Sequence, residues 1–264
     1  MKTSLQISAI AASLAVASSL NAQLIEFTSP DYSDGALNGQ QSFVAEAGWN
    51  VADAAGTGNA ITTNNAEIAV WNAPITLGSG ESFSYTMNFQ FGGTFAAPTS
   101  FTYIMTSGLS ASNAATSVGV ANTNADSNIQ IFSGSDQYRL LKDFGTIPGI
   151  SSPTGFNTDD VFQYDYTLTL GADAANTFYT VELTNITDGM GTGVGTVTGV
   201  DQGIYDALTG AGAFVYFQSI GMSNNASGIT SMQVNSITVP EPSTYAMVAG
   251  VAVLGIAFLR RRRA

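Results

Sequence analysis

Ser82-Phe83-Ser84-Tyr85-Thr86-Met87-Asn88-Phe89-Gln90-Phe91 keeps a strict period of two over ten residues. Phe83, Tyr85, Met87, Phe89 and Phe91 point one way, and Ser84, Thr86, Asn88 and Gln90 the other. Such a pattern fits a strand with one face on a core and one toward water, as in an antiparallel sheet. Residues 161–170 repeat it, with Phe162, Tyr164, Tyr166, Leu168 and Leu170 inward. Shorter strand candidates lie at 24–28, 42–45, 67–71, 99–106, 128–133, 137–142, 178–186, 213–220 and 231–239, separated by Gly, Asn, Asp or Pro clusters. Residues 201–208 are the best short helix. About eleven strands and no repeat of 20 to 50 residues predict an all-β domain, a two-sheet sandwich or a barrel.

Three details favour a jelly-roll. An opening Leu24-Ile25-Glu26-Phe27 strand is followed by the turn-rich Asp34-Gly35-Ala36-Leu37-Asn38-Gly39-Gln40 and then Gly48-Trp49. The long amphipathic strands come in the middle, and the domain closes on Met232-Gln233-Val234-Asn235-Ser236-Ile237-Thr238-Val239. This order resembles the concanavalin A-like lectin/glucanase and laminin-G-like sandwiches, which implies two antiparallel sheets with the first and last strands side by side. A β-sandwich of another topology is the alternative. Residues 111–127 read as a long polar loop, with a short strand at 118–120. Residues 188–203 read as a second loop, rich in Gly and Thr.

Both ends carry address signals. Met1-Lys2, an apolar run at 5–20 and a small-residue site ending at Ala22 form a secretory signal peptide, cut after Ala22. The other end reads Val239-Pro240-Glu241-Pro242-Ser243-Thr244, an uncharged apolar run at 245–259, then Arg260, Arg261, Arg262 and Arg263. Fifteen helical residues span roughly 22 Å; Pro242, Ser243 and Thr244 can add a turn, and arginine stems can snorkel to reach across a bilayer. The arginines should stay cytoplasmic and leave everything before Val239 outside. The tail resembles the PEP-CTERM sorting signal of Gram-negative bacteria that make exopolysaccharide. That resemblance implies Pro240, Glu241 and Pro242 as the recognition element, with removal of the tail by an exosortase-type membrane protease. Transient inner-membrane anchoring and delivery to the cell surface or extracellular matrix follow. The expected organisation is a signal peptide at 1–22 (a signal helix), a β-sandwich at 23–239, and a sorting signal with a single transmembrane helix at 240–264.

Composition narrows the chemistry. Only 10% of residues are charged. Between Gln23 and Val239 two basic residues, Arg139 and Lys142, stand against eighteen acidic ones, a net of about −16. Such a surface repels nucleic acid and anionic lipid and tolerates cations and neutral glycans. Without cysteine there is no disulfide framework, and without histidine the commonest general base and the usual zinc ligand are missing. Glu26, Glu46, Glu67, Glu81 and Glu182 each stand alone in the sequence. The Glu-x-Asp-x-Glu strand of retaining glucanases, which sets two carboxyl groups about 5 Å apart, is missing. A non-enzymatic role, structural or glycan-binding in exopolysaccharide, is therefore expected. The alternative is a matrix-remodelling glycoside hydrolase or lyase of the same fold.

Asn122-x-Asn124-x-Asp126 sets three oxygen-bearing side chains at alternate positions, which suits Ca2+ as a possible cofactor, although Asn and Asp also form plain turns. Trp49, Tyr103 and Tyr138 are the candidates for stacking on sugar rings.

Overall fold

The computed structural model describes residues 22–52, 58–64, 66–93, 102–116, 124–132, 137–143, 145–157, 160–220 and 229–240. Among them are seventeen strands and one helix. The strands are β1 (Ala22–Glu26), β2 (Gly35–Ala36), β3 (Phe43–Ala45), β4 (Asn50–Ala52), β5 (Asn59–Thr62), β6 (Ile68–Ile75), β7 (Ser82–Gly93), β8 (Thr102–Ser110) and β9 (Ala125–Phe132). They continue with β10 (Gln137–Lys142), β11 (Gly145–Thr146), β12 (Phe162–Thr169), β13 (Phe178–Asn185), β14 (Met190–Gly191), β15 (Gly195–Thr198), β16 (Ala213–Ser219) and β17 (Ile229–Pro240). The helix α1 (Gln202–Thr209) is capped by Asp201, whose carboxylate accepts from the Gly203 amide at 2.8 Å, and it buries Ile204, Ala207 and Leu208.

The strands form two antiparallel sheets that together make one compact unit, Leu24–Val239. The larger runs β14-β13-β12-β7-β17-β5-β4-β2, with β1 also beside β17 and β15 beside β13. The smaller runs β11-β10-β9-β8-β16-β6-β3. First and last strands are therefore neighbours, as the lectin-like resemblance implies. The two alternating stretches pair directly: Tyr166 faces Tyr85, Tyr164 faces Met87 and Phe162 faces Phe89. Their inward residues are all buried, with Phe89 stacked on Phe162 at 5.6 Å.

The sheets are joined by more than apolar packing. A buried phenol needs a partner for its hydroxyl, and four tyrosines of the larger sheet find one across the core. Tyr85 bonds the Ser107 hydroxyl at 2.8 Å, and Tyr164 donates to the Ser107 carbonyl at 3.0 Å. Tyr166 donates to the Ala125 carbonyl at 2.9 Å and Tyr179 to the Asp126 carbonyl at 2.5 Å. Tyr85, Tyr166 and Tyr179 form a stacked row with centroids 5.1 and 5.3 Å apart.

Some expected boundaries move. The strand expected at 99–106 is β8, which starts three residues later and ends four residues later, and β9 begins at Ala125 inside the expected loop. The Gly- and Thr-rich stretch after Asp188 contains β14 and β15, both paired to β13. Residues 1–21 and 241–264, and with them the expected signal and transmembrane helices, lie outside the described residues. Among those described, no helix is long and apolar enough to cross a membrane.

Candidate functional site

Among the described residues, the outer face of the smaller sheet carries a cluster of buried polar side chains. Registers across β16, β8, β9 and β10 set three rows on it: Tyr216–Gly108–Asp126, Gln218–Thr106–Asn128–Leu141 and Tyr103–Gln130–Arg139. Partners in a row share a face. A strand buried on both sides ordinarily reads as a hydrophobic run, yet Asp126, Thr106 and Asn128 are fully buried and Gln218 and Gln130 nearly so. Each is held by a hydrogen bond. Thr106 donates to the Asn128 side-chain carbonyl at 2.5 Å, and Arg139 Nε to Gln130 Oε1 at 2.9 Å. Gln218 Nε2 donates to the Ala66 carbonyl at 3.4 Å. Toward β6 the face turns apolar, with Ile68, Val70 and Tyr216 in one cluster and Phe214 and Ala115 against it.

Asp126 is the electrostatic centre of this face. Its Oδ2 accepts the Tyr216 hydroxyl, and its Oδ1 lies 3.1 Å from Lys142 Nζ, which also donates to the Asn124 carbonyl at 2.9 Å. The tyrosine reaches two strands away because Gly108 stands between. A Cβ there would lie 2.4 Å from the Ala125 carbonyl oxygen and from Asp126 Cα. Burial, then the Asp126 charge, pushes the Tyr216 hydroxyl far above its ordinary range.

The row Tyr103–Gln130–Arg139 is more open, with Tyr103 and Arg139 half-buried. Burial pushes the Tyr103 hydroxyl up, and the nearby Arg139 charge opposes it. An aromatic ring, an amide and a guanidinium thus sit on three adjacent strands. That combination offers one apolar face and a guanidinium fixed by the buried amide.

The stacking candidates separate clearly. Trp49 is fully buried, edge-on to Phe217 at 4.8 Å, and donates from Nε1 to the Glu67 carbonyl at 3.0 Å. Tyr138 is equally buried, edge-on to Phe162 at 5.1 Å, with its hydroxyl on the Met190 carbonyl at 2.5 Å. Neither ring has a face free for a sugar; large aromatics on inward strand positions serve the core. Tyr103 keeps part of its surface.

The expected ligand loop is described only in part. Asn122 lies outside the described residues, Asp126 belongs to β9 rather than to a loop, and the cation beside it is the chain's own Lys142. Among the described residues, no three Asp or Glu side chains come together as a metal would need. Sequence spacing could not show this, because β10 supplies the lysine from sixteen residues away.

Glu182 is not alone either: it faces Asp165 across β12–β13, on the outer face of the larger sheet. Asp165 accepts from Thr86 at 2.6 Å and from Gln163 at 2.7 Å. Of the sorting residues, Pro240 ends β17, while Glu241, Pro242 and Arg260 to Arg263 lie outside the described residues.

Residues 238–263 match the PEP-CTERM protein-sorting motif. In sequence, no curated protein matches the chain. Solved structures similar to it include the lectin UEA-II complexed with galactose, at 15% identity and a TM-score of 0.51, covering 83% of this chain and 98% of that one. The winged bean acidic lectin complexed with methyl-alpha-D-galactose is similar at 10% identity and a TM-score of 0.50, covering 83% and 97%. The fold is thus the legume-lectin, concanavalin A-like sandwich, and the tail directs an exported protein to exosortase.

Proposed function

We propose that the chain is a non-enzymatic surface protein whose sandwich binds a neutral glycan on the outer face of the smaller sheet. Delivery is to the cell surface or polysaccharide matrix of a Gram-negative bacterium, after an exosortase removes the tail. The observation that carries the binding reading is the Tyr103–Gln130–Arg139 row. A half-open tyrosine suits the apolar face of a pyranose, and the guanidinium of Arg139, held by the buried Gln130, suits its hydroxyls. The net charge of the domain, about −16, disfavours polyanionic glycans and nucleic acid as partners.

Binding of the purified protein to a polysaccharide panel, with calcium and with chelator, tests this. Saturable binding that falls about five-fold or more in Tyr103→Ala, in line with the roughly 1 kcal/mol of an aromatic contact, is expected. Binding unaffected by both Tyr103→Ala and Arg139→Met would remove the row from consideration. Loss of binding under chelator would point instead to a calcium-dependent site. The hydrolase alternative has a geometric foothold in the Asp165–Glu182 pair. Glycan that shortens over time, and stops shortening in Asp165→Asn, would promote it.

A further inference from the structure

Lys142 is the only lysine among the described residues, and two carboxyl groups and a carbonyl surround its amine. Nζ lies 3.1 Å from Asp126 Oδ1 and 3.3 Å from Asp143 Oδ1, and it donates to the Asn124 carbonyl at 2.9 Å. The Asp126 side chain is fully buried, and its other oxygen, Oδ2, accepts the Tyr216 hydroxyl. Asp143 follows β10 in a left-handed backbone conformation, φ 51°, which aspartate tolerates, and its side chain is 44% exposed. One buried electrophile, one nucleophile, one donor on the far carboxyl oxygen and one proton acceptor thus converge. Two reacting groups held in a near-attack geometry have an effective concentration of about 10⁵ M or more. Condensation also replaces a desolvated charge pair, which is costly to keep from water, with a neutral amide.

We propose that Lys142 and Asp126 condense to an intramolecular isopeptide bond, a covalent staple between β10 and β9. The reaction needs no co-reactant. One proton passes from Nζ to Asp126 Oδ1 and leaves an uncharged amine. Nζ then attacks Asp126 Cγ and forms the C–N bond, while the Tyr216 hydroxyl stabilises the charge that gathers on Oδ2. A second proton leaves Nζ for Asp143 and passes on to Oδ1. The Cγ–Oδ1 bond breaks, and Oδ1 departs as water past Lys142, whose side chain keeps 20% exposure. The third proton stays on the amide nitrogen, and Tyr216 and Asp143 end as they began. The bond ties together the strands that carry Gln130 and Arg139, so the register under the Tyr103–Gln130–Arg139 row is fixed covalently. It forms whether or not that row binds a glycan.

Trypsin provides the test, because Arg139 and Lys142 are its only two sites between Gln23 and Val239. If the bond is absent, trypsin separates the full chain, folded in detergent and then denatured, into a part ending at Arg139 and a part beginning at Asp143. In the bonded chain Lys142 is no longer a substrate, and the cut after Arg139 leaves both parts joined through Asp126. A joined species on a denaturing gel is expected. Its mass should lie one water below the sum of its two parts, with fragment ions that place the link at Asp126 and Lys142. Complete separation, or a link between any other pair, overturns the proposal. Lys142→Arg keeps the charge and removes the nucleophile, so its parts should separate; parts still joined in that variant overturn the proposal equally. Asp143→Asn should slow joining after synthesis about a hundred-fold, the usual order for a proton-transferring group. An unchanged rate overturns the proton path through Asp143.

Discussion

Asp126 shows how a fully buried carboxylate is made tolerable. It gains one ammonium and one phenol, and a glycine between strands leaves the path for the phenol open. An ion removed from water is stabilised only when paired and hydrogen-bonded, and removing one partner leaves the other charge stranded. Lys142→Met should therefore destabilise the domain by about 2–3 kcal/mol, somewhat below the usual cost for a buried pair, because the lysine side chain keeps 20% exposure. Urea unfolding checks this. Adding Asp126→Asn should return part of the loss, giving a coupling of about 1–2 kcal/mol, as expected for residues in contact. Strict additivity of the two changes would show that the pair is energetically idle. The same residue shows what the Asn122-x-Asn124-x-Asp126 spacing alone could not. Alternate Asn and Asp positions look like a ligand loop until the fold brings a lysine from another strand.

Among the elements, legibility followed alternation. β7 and β12 could be placed because apolar and polar residues alternate from Ser82 to Phe91 and from Phe162 to Thr169, and β10 coincides with its expected bounds. β9 was half hidden. Its inward positions include Ala125 and Ser127 and its outward ones Asp126 and Asn128, so neither face announces itself as apolar. The short strands β2, β4, β5, β14 and β15 have two to four residues each, too few for a period to register. The candidate row was legible only in part. Tyr103 could be singled out as a stacking residue, but cross-strand register is what sets it beside Gln130 and Arg139. One strand also retains an improvable position. Asn88, on the outer phase of β7, has its side-chain oxygen buried with no hydrogen-bond partner, while its amide donates to Ser236 at only 3.3 Å. An unmet buried acceptor costs about 1–3 kcal/mol, and threonine suits a half-buried strand better. Asn88→Thr is expected to raise stability by about 1 kcal/mol, read from the urea midpoint; a lowered midpoint would mean that the amide bond to Ser236 matters more.

For the whole molecule, the buried phenols set an alkaline limit. Burial, aided by the Asp126 charge and by neighbouring tyrosines, holds Tyr85, Tyr164, Tyr166, Tyr179 and Tyr216 protonated well above their ordinary range. The unfolded chain releases those protons near pH 10, so the folded state binds more protons above that point. Their contribution is complete below about pH 10 and falls as the pH rises past it, by up to about 1.4 kcal/mol per unit for each phenol. The part of the phenolate absorbance at 295 nm that belongs to these five should therefore rise in one cooperative step that coincides with loss of circular dichroism. A gradual, independent titration of these tyrosines in folded protein would contradict their burial.

The placement of β17 also has a mechanical side. If the protein is held at its new terminus and a polymer pulls on the Tyr103–Arg139 row, tension enters along the axis of an internal strand. Its ladder to β7 is then loaded in shear, many bonds at once, instead of being unzipped one after another as at a sheet edge. The same tension crosses to the second sheet through the tyrosine hydroxyls, which act as rivets between two plates. β17 is thus placed where the sandwich best withstands being dragged.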